Sequence, residues 1–180
     1  MTLDPALGAL LAGCFALLFA SAALHKLLDL PRFGAVLEAY QLFPARLVRL
    51  AWLVPVVELV LALGLLAGAL RPPAALTAAA LLVAYALAIG INLRRGRFDL
   101  ACGCSAAGER RPIAPWMLWR NLTLALLLCA TALPLKARPL LATDYLTVTA
   151  GVAIAALLYA SIDRLLGQLL PRGQLLRGAP

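Results

Sequence analysis

The stretch AALTAAALLVAYALAIGINL, residues 74–93, carries no charged side chain in twenty consecutive positions. About 20 apolar residues in a helix cross the roughly 30 Å hydrocarbon core of a bilayer. Backbone groups inside lipid must be hydrogen-bonded within their own segment, so this stretch predicts a transmembrane helix. The basic pair Arg94-Arg95 follows it directly, and Cys102-Gly103-Cys104 lies a few residues further on.

The composition of the whole chain is that of an integral membrane protein. Of its 180 residues, 64% are hydrophobic and 13% are charged, whereas soluble domains average about 25% charged residues. The net charge of +8 is not accompanied by the interleaved aromatic residues of a nucleic-acid site, so no nucleic-acid partner is predicted. The positive charge suits anionic lipid headgroups instead. A single transmembrane domain over residues 1–180 is predicted.

Apolar stretches of similar length recur along the chain, and turn residues such as Pro72-Pro73 separate them. We predict an all-α bundle of about five transmembrane helices. Their predicted positions are about residues 6–28, 50–70, 74–93, 115–133 and 145–166. The small-residue pair Gly64 and Gly68 would serve packing within the bundle or a homo-oligomer face, and both remain open.

The connection between the first two predicted spans is long for a simple turn. Its apolar residues Phe33, Val36, Leu37 and Tyr40 recur at spacings of three and four, which predicts a short amphipathic interfacial helix. This helix would cover the end of the bundle, dock a partner or form one wall of a site beside the cysteines.

The distribution of Lys and Arg predicts the orientation, because short loops rich in these residues stay in the cytoplasm. Three of the sixteen would lie at the end of the bundle that holds the N-terminus, namely Arg71, Lys136 and Arg138. The other thirteen would lie at the opposite end: Lys26, Arg32, Arg46, Arg49, Arg94, Arg95, Arg97, Arg110, Arg111, Arg120, Arg164, Arg172 and Arg177. We therefore predict a multi-pass membrane protein whose N-terminus lies outside the cytoplasm and whose Cys-Gly-Cys loop lies in the cytoplasm.

The pair Cys102 and Cys104 is the predicted catalytic element. A disulfide between residues two apart closes a small, strained ring, and strained disulfides are easily reduced. Gly103 relieves part of the strain, and the neighbouring arginines favour the thiolate form that attacks. Three interpretations stay open at this point: reversible thiol–disulfide exchange with Cys102 slightly preferred as the attacking thiol, a partial Cu(I) or Zn site, and two unreactive cysteines.

Intramembrane charges mark a second candidate site, because a charge inside lipid is costly. Glu58 is the acid inside the second predicted span, and its expected partners are Lys26, His25 or Arg120. Together with Asn121 these residues are predicted to line a polar pocket under the loop. These residues either form a structural ion pair or provide a site for protons or a quinone ring.

These residues resemble the MauE branch of the DoxX-like membrane proteins over about residues 10–130. The resemblance is carried by His25-Lys26-Leu27, Pro55-x-x-Glu58, Arg120-Asn121 and, most specifically, the run Asn92-Leu93-Arg94-Arg95-Gly96 leading into Cys102-Gly103-Cys104. It implies a small polytopic inner-membrane protein that works beside a thioredoxin-like partner. The implied role is maturation of the disulfide-rich small subunit of methylamine dehydrogenase.

The predicted function is therefore thiol–disulfide exchange or electron relay by Cys102 and Cys104, with a disulfide-containing substrate protein. The alternative is a non-catalytic carrier or assembly scaffold that binds a small solute, a Cu or Zn ion or a quinone. The implied maturation is periplasmic, whereas the charge distribution places the loop in the cytoplasm. A cytosolic donor, a relay through Cys14 and Cys129, or an inverted topology would each reconcile the two.

Overall fold

The fold is an all-helical bundle in a computed structural model that describes residues 3–42, 44–101, 112–136 and 138–177, with only the backbone for residues 45 and 167–177. Within these ranges there are seven helices and no strand beyond isolated bridges. The helices are α1 (Pro5–Leu28), α2 (Leu30–Tyr40), α3 (Ala45–Val48), α4 (Leu53–Leu66), α5 (Arg71–Arg94), α6 (Pro115–Ala130) and α7 (Ala142–Arg177). Cys102 and Cys104 lie outside the described residues.

Three helices are long and apolar enough to cross a membrane, by length and composition: α1, α5 and residues Ala142–Leu166 of α7. The helix α4 is a shorter apolar helix. The chain is thus a helical membrane protein, as the sequence predicts.

Two aspartates define the ends of α1 and the start of α2. Asp4 caps α1 by accepting a hydrogen bond from the Ala6 amide at 2.9 Å, and Pro5 supplies the first helical position, where its missing N–H costs nothing. Asp29 ends α1 and accepts from the Arg32 amide at 3.2 Å. The short helix expected after the first span is therefore present as α2, separated from α1 by one residue.

The second predicted span, residues 50–70, is interrupted near its start. Helix α4 has 14 residues, and tight i→i+3 hydrogen bonds precede it, such as Leu53 to Leu50 at 2.9 Å and Val54 to Ala51 at 3.2 Å. Pro55 has no N–H to continue the α-helical pattern, and its ring would clash with the carbonyl of Ala51. The chain therefore enters α4 through a tight turn instead of one straight helix.

Small residues bring the helices together. α1 packs along α4, and α5 packs along both α4 and α6. A Cβ atom on Gly64 of α4 would lie 2.9 Å from the Cβ of Ala74 on α5. Because lipid supplies no hydrophobic drive between helices, such close contacts provide the packing energy of a membrane bundle.

Helix α7 packs on the outside of α1 through glycines on both helices. A Cβ on Gly13 of α1 would lie 2.9 Å from Val152 Cγ2, and one on Gly151 of α7 would lie 2.7 Å from Leu10 Cδ1. Each glycine thus receives a side chain of the partner helix. α7 also runs well past residue 166, where the fifth predicted span ends.

The N-terminus is fastened to the connection between α6 and α7. The Leu3 amide donates to the Pro134 carbonyl at 2.9 Å, and the Leu3 carbonyl accepts from the Lys136 amide at 2.8 Å. Arg138 bridges Asp4 and Asp144, at 3.0 Å and 2.8 Å. This end of the bundle is opposite to the end that carries the cysteine segment.

Candidate functional site

A buried ion pair forms the centre of the candidate site. The Nζ atom of Lys26 lies 2.6 Å from Oε1 and 2.7 Å from Oε2 of Glu58. The two side chains are only 4% and 1% exposed. Of the three partners expected for Glu58, the structure places Lys26 against it.

Two aromatic side chains complete the surroundings of this pair. The Tyr85 hydroxyl donates to Glu58 Oε1 at 2.8 Å. The Lys26 ammonium lies 5.6 Å from the ring centroid of Phe33 and 5.5 Å from that of Tyr85, within the range of cation–π attraction. A carboxylate and two rings thus offset the cost of removing the ammonium from water.

Four helices meet at this pair. Lys26 lies in the last turn of α1, Glu58 in the first half of α4, Tyr85 on α5 and Phe33 on α2. Removing one partner would leave an uncompensated charge where the four helices join, so the pair is a strong structural constraint.

The two ends of the cysteine segment meet just above this pair. The Ile113 amide donates to the Leu100 carbonyl at 2.8 Å, and Ala101 and Pro112 form an isolated antiparallel bridge. We call residues 100, 101, 112 and 113 the loop base. Residues 102–111, which the loop base closes, include Cys102 and Cys104 and lie outside the described part of the chain.

A small apolar cluster holds the loop base against the bundle. The buried members of this cluster are Tyr40, Ile89, Leu100, Ile113 and Met117. Ile89 lies four residues after Tyr85 on α5, a separation of about 6 Å along the helix. The buried pair is therefore about one helical turn below the loop base, and α2 reaches from Phe33 at the pair to Tyr40 at the cluster.

The other predicted pocket residues occupy the same end of the bundle but make different contacts. Arg120 pairs with Asp163 of α7 at 2.6 Å, and its guanidinium lies 5.3 Å from the Trp116 ring. Asn121 is buried and donates to the Met117 carbonyl at 2.9 Å. His25 is partly buried, and no hydrogen bond joins it to the Lys26–Glu58 pair among the described residues.

Sequence reasoning missed Tyr85, Asp163 and Arg97, whose guanidinium donates to the Ala39 carbonyl at the end of α2 at 2.7 Å. Tyr85 and Asp163 lie inside predicted spans. Their sequence signal was a polar side chain at about the same depth in the membrane as Glu58 or Arg120. Arg97 carries no such signal, because it belongs to the same short basic run as Arg94 and Arg95.

The described residues contain no group of three or more His, Cys, Asp or Glu side chains that could hold a metal ion. Cys14 is half-buried near the middle of α1, Cys129 is exposed in the last turn of α6, and both are free thiols.

These features define a helical membrane protein in which a buried ion pair lies near the loop base. The family model for the methylamine utilisation protein MauE matches residues 4–135. The chain is 40% identical over 154 residues to the methylamine utilization protein MauE of Paracoccus denitrificans, covering 84% of this chain and 83% of that protein. It is 35% identical over 174 residues to the same-named protein of Methylophilus methylotrophus, covering 93% and 90%.

The chain belongs to the MauE family, which confirms the resemblance drawn from its motifs. No solved structure matches it significantly.

Proposed function

We propose that this protein acts in methylamine utilisation by supporting the maturation of methylamine dehydrogenase. The names of its relatives support the first part of this proposal. The proposed activity is thiol–disulfide exchange by Cys102 and Cys104 with a thioredoxin-like partner, serving a substrate protein that contains disulfides.

The observation that carries the proposal is the anchored loop base. The Leu100–Ile113 hydrogen bond and the surrounding apolar cluster fix both ends of the segment that holds the cysteines. An exchange site gains from such an anchor, because a partner then meets the thiols at one place on the surface.

The exchange needs no oxidant or reductant other than the partner disulfide. The Cys102 thiolate attacks a disulfide of the partner, forms a mixed disulfide and releases one partner thiolate. The Cys104 thiolate then attacks the Cys102 sulfur, closes the Cys102–Cys104 disulfide and releases the second partner thiolate. The partner disulfide is reduced and the pair is oxidised; the reverse sequence donates a disulfide.

The polar residues beneath the loop are assigned a supporting role. Lys26 and Glu58 hold the helices below the loop base, where His25, Arg120 and Asn121 also lie at the same end of the bundle. Lys26, Glu58, Arg120 and Asn121 already bond to other protein groups, so a quinone serving as electron acceptor for the pair would have to replace one of these contacts or use His25.

The proposal includes five membrane-spanning helices: α1, α4, α5, α6 and α7. Helices of 14 and 16 residues, α4 and α6, cover about 21 and 24 Å. The helical turns of residues 45–52 precede α4 and extend this span. Local thinning of the bilayer accommodates the remaining difference between the helix lengths and the hydrocarbon thickness. The orientation is N-terminus periplasmic, by the charge distribution.

Labelling in intact cells tests this orientation. The chain is reduced in a Cys14→Ser, Cys129→Ser background and treated with a membrane-impermeant maleimide. No reaction at Cys102 or Cys104 until the cells are opened supports a cytoplasmic loop; reaction in intact cells inverts the topology.

A matched pair of double variants tests the function. Cys102→Ser, Cys104→Ser is expected to abolish accumulation of mature methylamine dehydrogenase, and Cys14→Ser, Cys129→Ser is expected to leave it unchanged. Normal maturation in the loop variant at normal membrane levels would overturn the exchange proposal. Loss that added copper or zinc restores would favour a metal-binding scaffold instead.

A further inference from the structure

Arg97 makes contacts that distinguish it from its basic neighbours. Its Nη2 atom donates to the Ala39 carbonyl at 2.7 Å, and its Nη1 atom lies 3.3 Å from both Gln41 Oε1 and Asn92 Oδ1. Arg94 and Arg95 are exposed, whereas Arg97 is partly buried. One guanidinium therefore joins the end of α2 to the end of α5.

The acceptor on α2 is a carbonyl that the helix itself leaves open. Ala39 lies in the last turn of α2, where the final four carbonyls have no intrahelical donor. Gln41 follows in the left-handed conformation, with φ 50°. A cation at a helix C-terminus also interacts favourably with the helix dipole, so Arg97 caps α2 from the segment that follows α5.

Contacts with the end of α5 and the turn after it hold the Arg97 guanidinium in place. Asn92 is fully buried, and its amide donates to the Ala88 carbonyl at 3.1 Å, which directs Oδ1 towards Arg97. The Arg97 amide donates to the Asn92 carbonyl at 3.1 Å. The backbone turns there at Gly96, with φ +73°, a conformation that glycine adopts without strain.

We propose that Arg97 is a positioning residue that locks the C-terminal end of α2 to the loop base. Arg97 lies three residues before Leu100, and Tyr40 of α2 packs in the same cluster as Leu100 and Ile113. α2 and the loop base thus form one unit, and the partner of the thiol pair meets both together. This last step rests on the proposed exchange function.

The lock depends on the forked geometry of arginine and not on positive charge alone. Lys presents a single ammonium on a flexible stem and cannot replace a planar fork that reaches three acceptors. Arg97→Lys and Arg97→Gln are therefore expected to behave alike. Arg95→Gln, which removes the same charge two residues away, is the matched control.

Amide hydrogen exchange on the purified full chain in lipid nanodiscs measures the lock without reference to thiol chemistry. Hydrogen bonds to charged groups contribute enough that both Arg97 variants are expected to exchange roughly tenfold or more faster in the last turn of α2 and at the amides of residue 97 and Ile113, which donate to the Asn92 and Leu100 carbonyls. Arg95→Gln is expected to match the wild type. Unchanged protection in Arg97→Gln, or full protection in Arg97→Lys, would overturn the proposal.

A second readout separates this lock from the exchange function. If the loop cysteines exchange disulfides, Arg97→Gln lowers methylamine dehydrogenase maturation, whereas the pH midpoint of maleimide reaction at Cys102 stays as in Arg95→Gln. A midpoint that rises only in Arg97→Gln would instead assign Arg97 to direct activation of the thiol and overturn the positioning role. Should Arg97→Gln fail to accumulate, Gln41→Ala removes one of the three contacts and is expected to raise exchange in α2 alone.

Discussion

Lys26 on α1 and Glu58 on α4 form a two-point ion pair, with the ammonium 2.6 Å and 2.7 Å from the two carboxylate oxygens. The pair joins two helices that both contribute alanine, leucine or phenylalanine side chains to one buried apolar cluster. It lies about one helical turn below the loop base, measured along α5.

Replacing Glu58 by Gln is expected to destabilise the bundle strongly, because the Lys26 ammonium stays buried without its counter-charge. Breaking a buried pair in this way costs about 3–5 kcal/mol. Thermal unfolding in detergent measures the loss. The double variant Lys26→Met, Glu58→Leu removes both charges and is expected to recover most of the stability. A Glu58→Gln protein as stable as the wild type would contradict the role of the pair.

Tyr85→Phe is expected to cost less than Glu58→Gln, because Lys26 still neutralises the carboxylate. The variant loses one hydrogen bond to a charged acceptor, about 1.5–3 kcal/mol. The same unfolding experiment checks it, with Tyr145→Phe as control, since Tyr145 is 60% exposed. Equal effects of the two substitutions would show that the Tyr85 hydroxyl contributes nothing to the pair.

Gly13→Ala is expected to loosen α7 from α1, because the new methyl would meet the Cγ2 atom of Val152 at 2.9 Å and Val has little rotamer freedom in a helix. Gly34→Ala is the matched control. It lies inside α2 with no atom within 4 Å of the added Cβ, so it is expected to be neutral or to stabilise by up to about 1 kcal/mol. Cysteine cross-linking between α1 and α7 reports the separation, and unchanged cross-linking in Gly13→Ala would argue against tight packing there.

The fastening of the N-terminus is expected to weaken in acid. The Arg138 guanidinium, together with the Ala6 amide, holds the pKa of Asp4 below its ordinary value of 3.8. A depressed carboxyl pKa stabilises the folded protein above the ordinary value, and this contribution is lost as the pH falls through the folded-state pKa. The melting temperature of the wild type should therefore fall below about pH 4 more steeply than that of Asp4→Asn. Parallel curves for the two proteins would contradict the linkage.

The sequence predicted the helical membrane class, because hydropathy and helix length decide it. It treated residues 50–70 as one regular span, whereas α4 covers only Leu53–Leu66 and Pro55 imposes a tight entry turn. The pairing of Lys26 with Glu58 was one of three options. Only the packing of α1 on α4 selects it.

Arg97 and Arg120 show what the sequence could not supply. Both belong to the basic side of the charge distribution, yet Arg97 faces the end of α2 and Arg120 faces Asp163. These partners are 58 and 43 residues away in the chain. Contacts at such separations depend on how helices are arranged around each other, and local periodicity carries no information about that arrangement.

Trapping of a mixed disulfide tests the central claim most directly. In Cys104→Ser, with Cys14 and Cys129 also replaced by Ser, the attacking Cys102 has no resolving partner. The account predicts a reductant-sensitive adduct between this variant and a thioredoxin-like protein, absent when Cys102 is also replaced. No adduct from Cys104→Ser or from the reciprocal Cys102→Ser, with normal methylamine dehydrogenase maturation in the loop double variant, would contradict it.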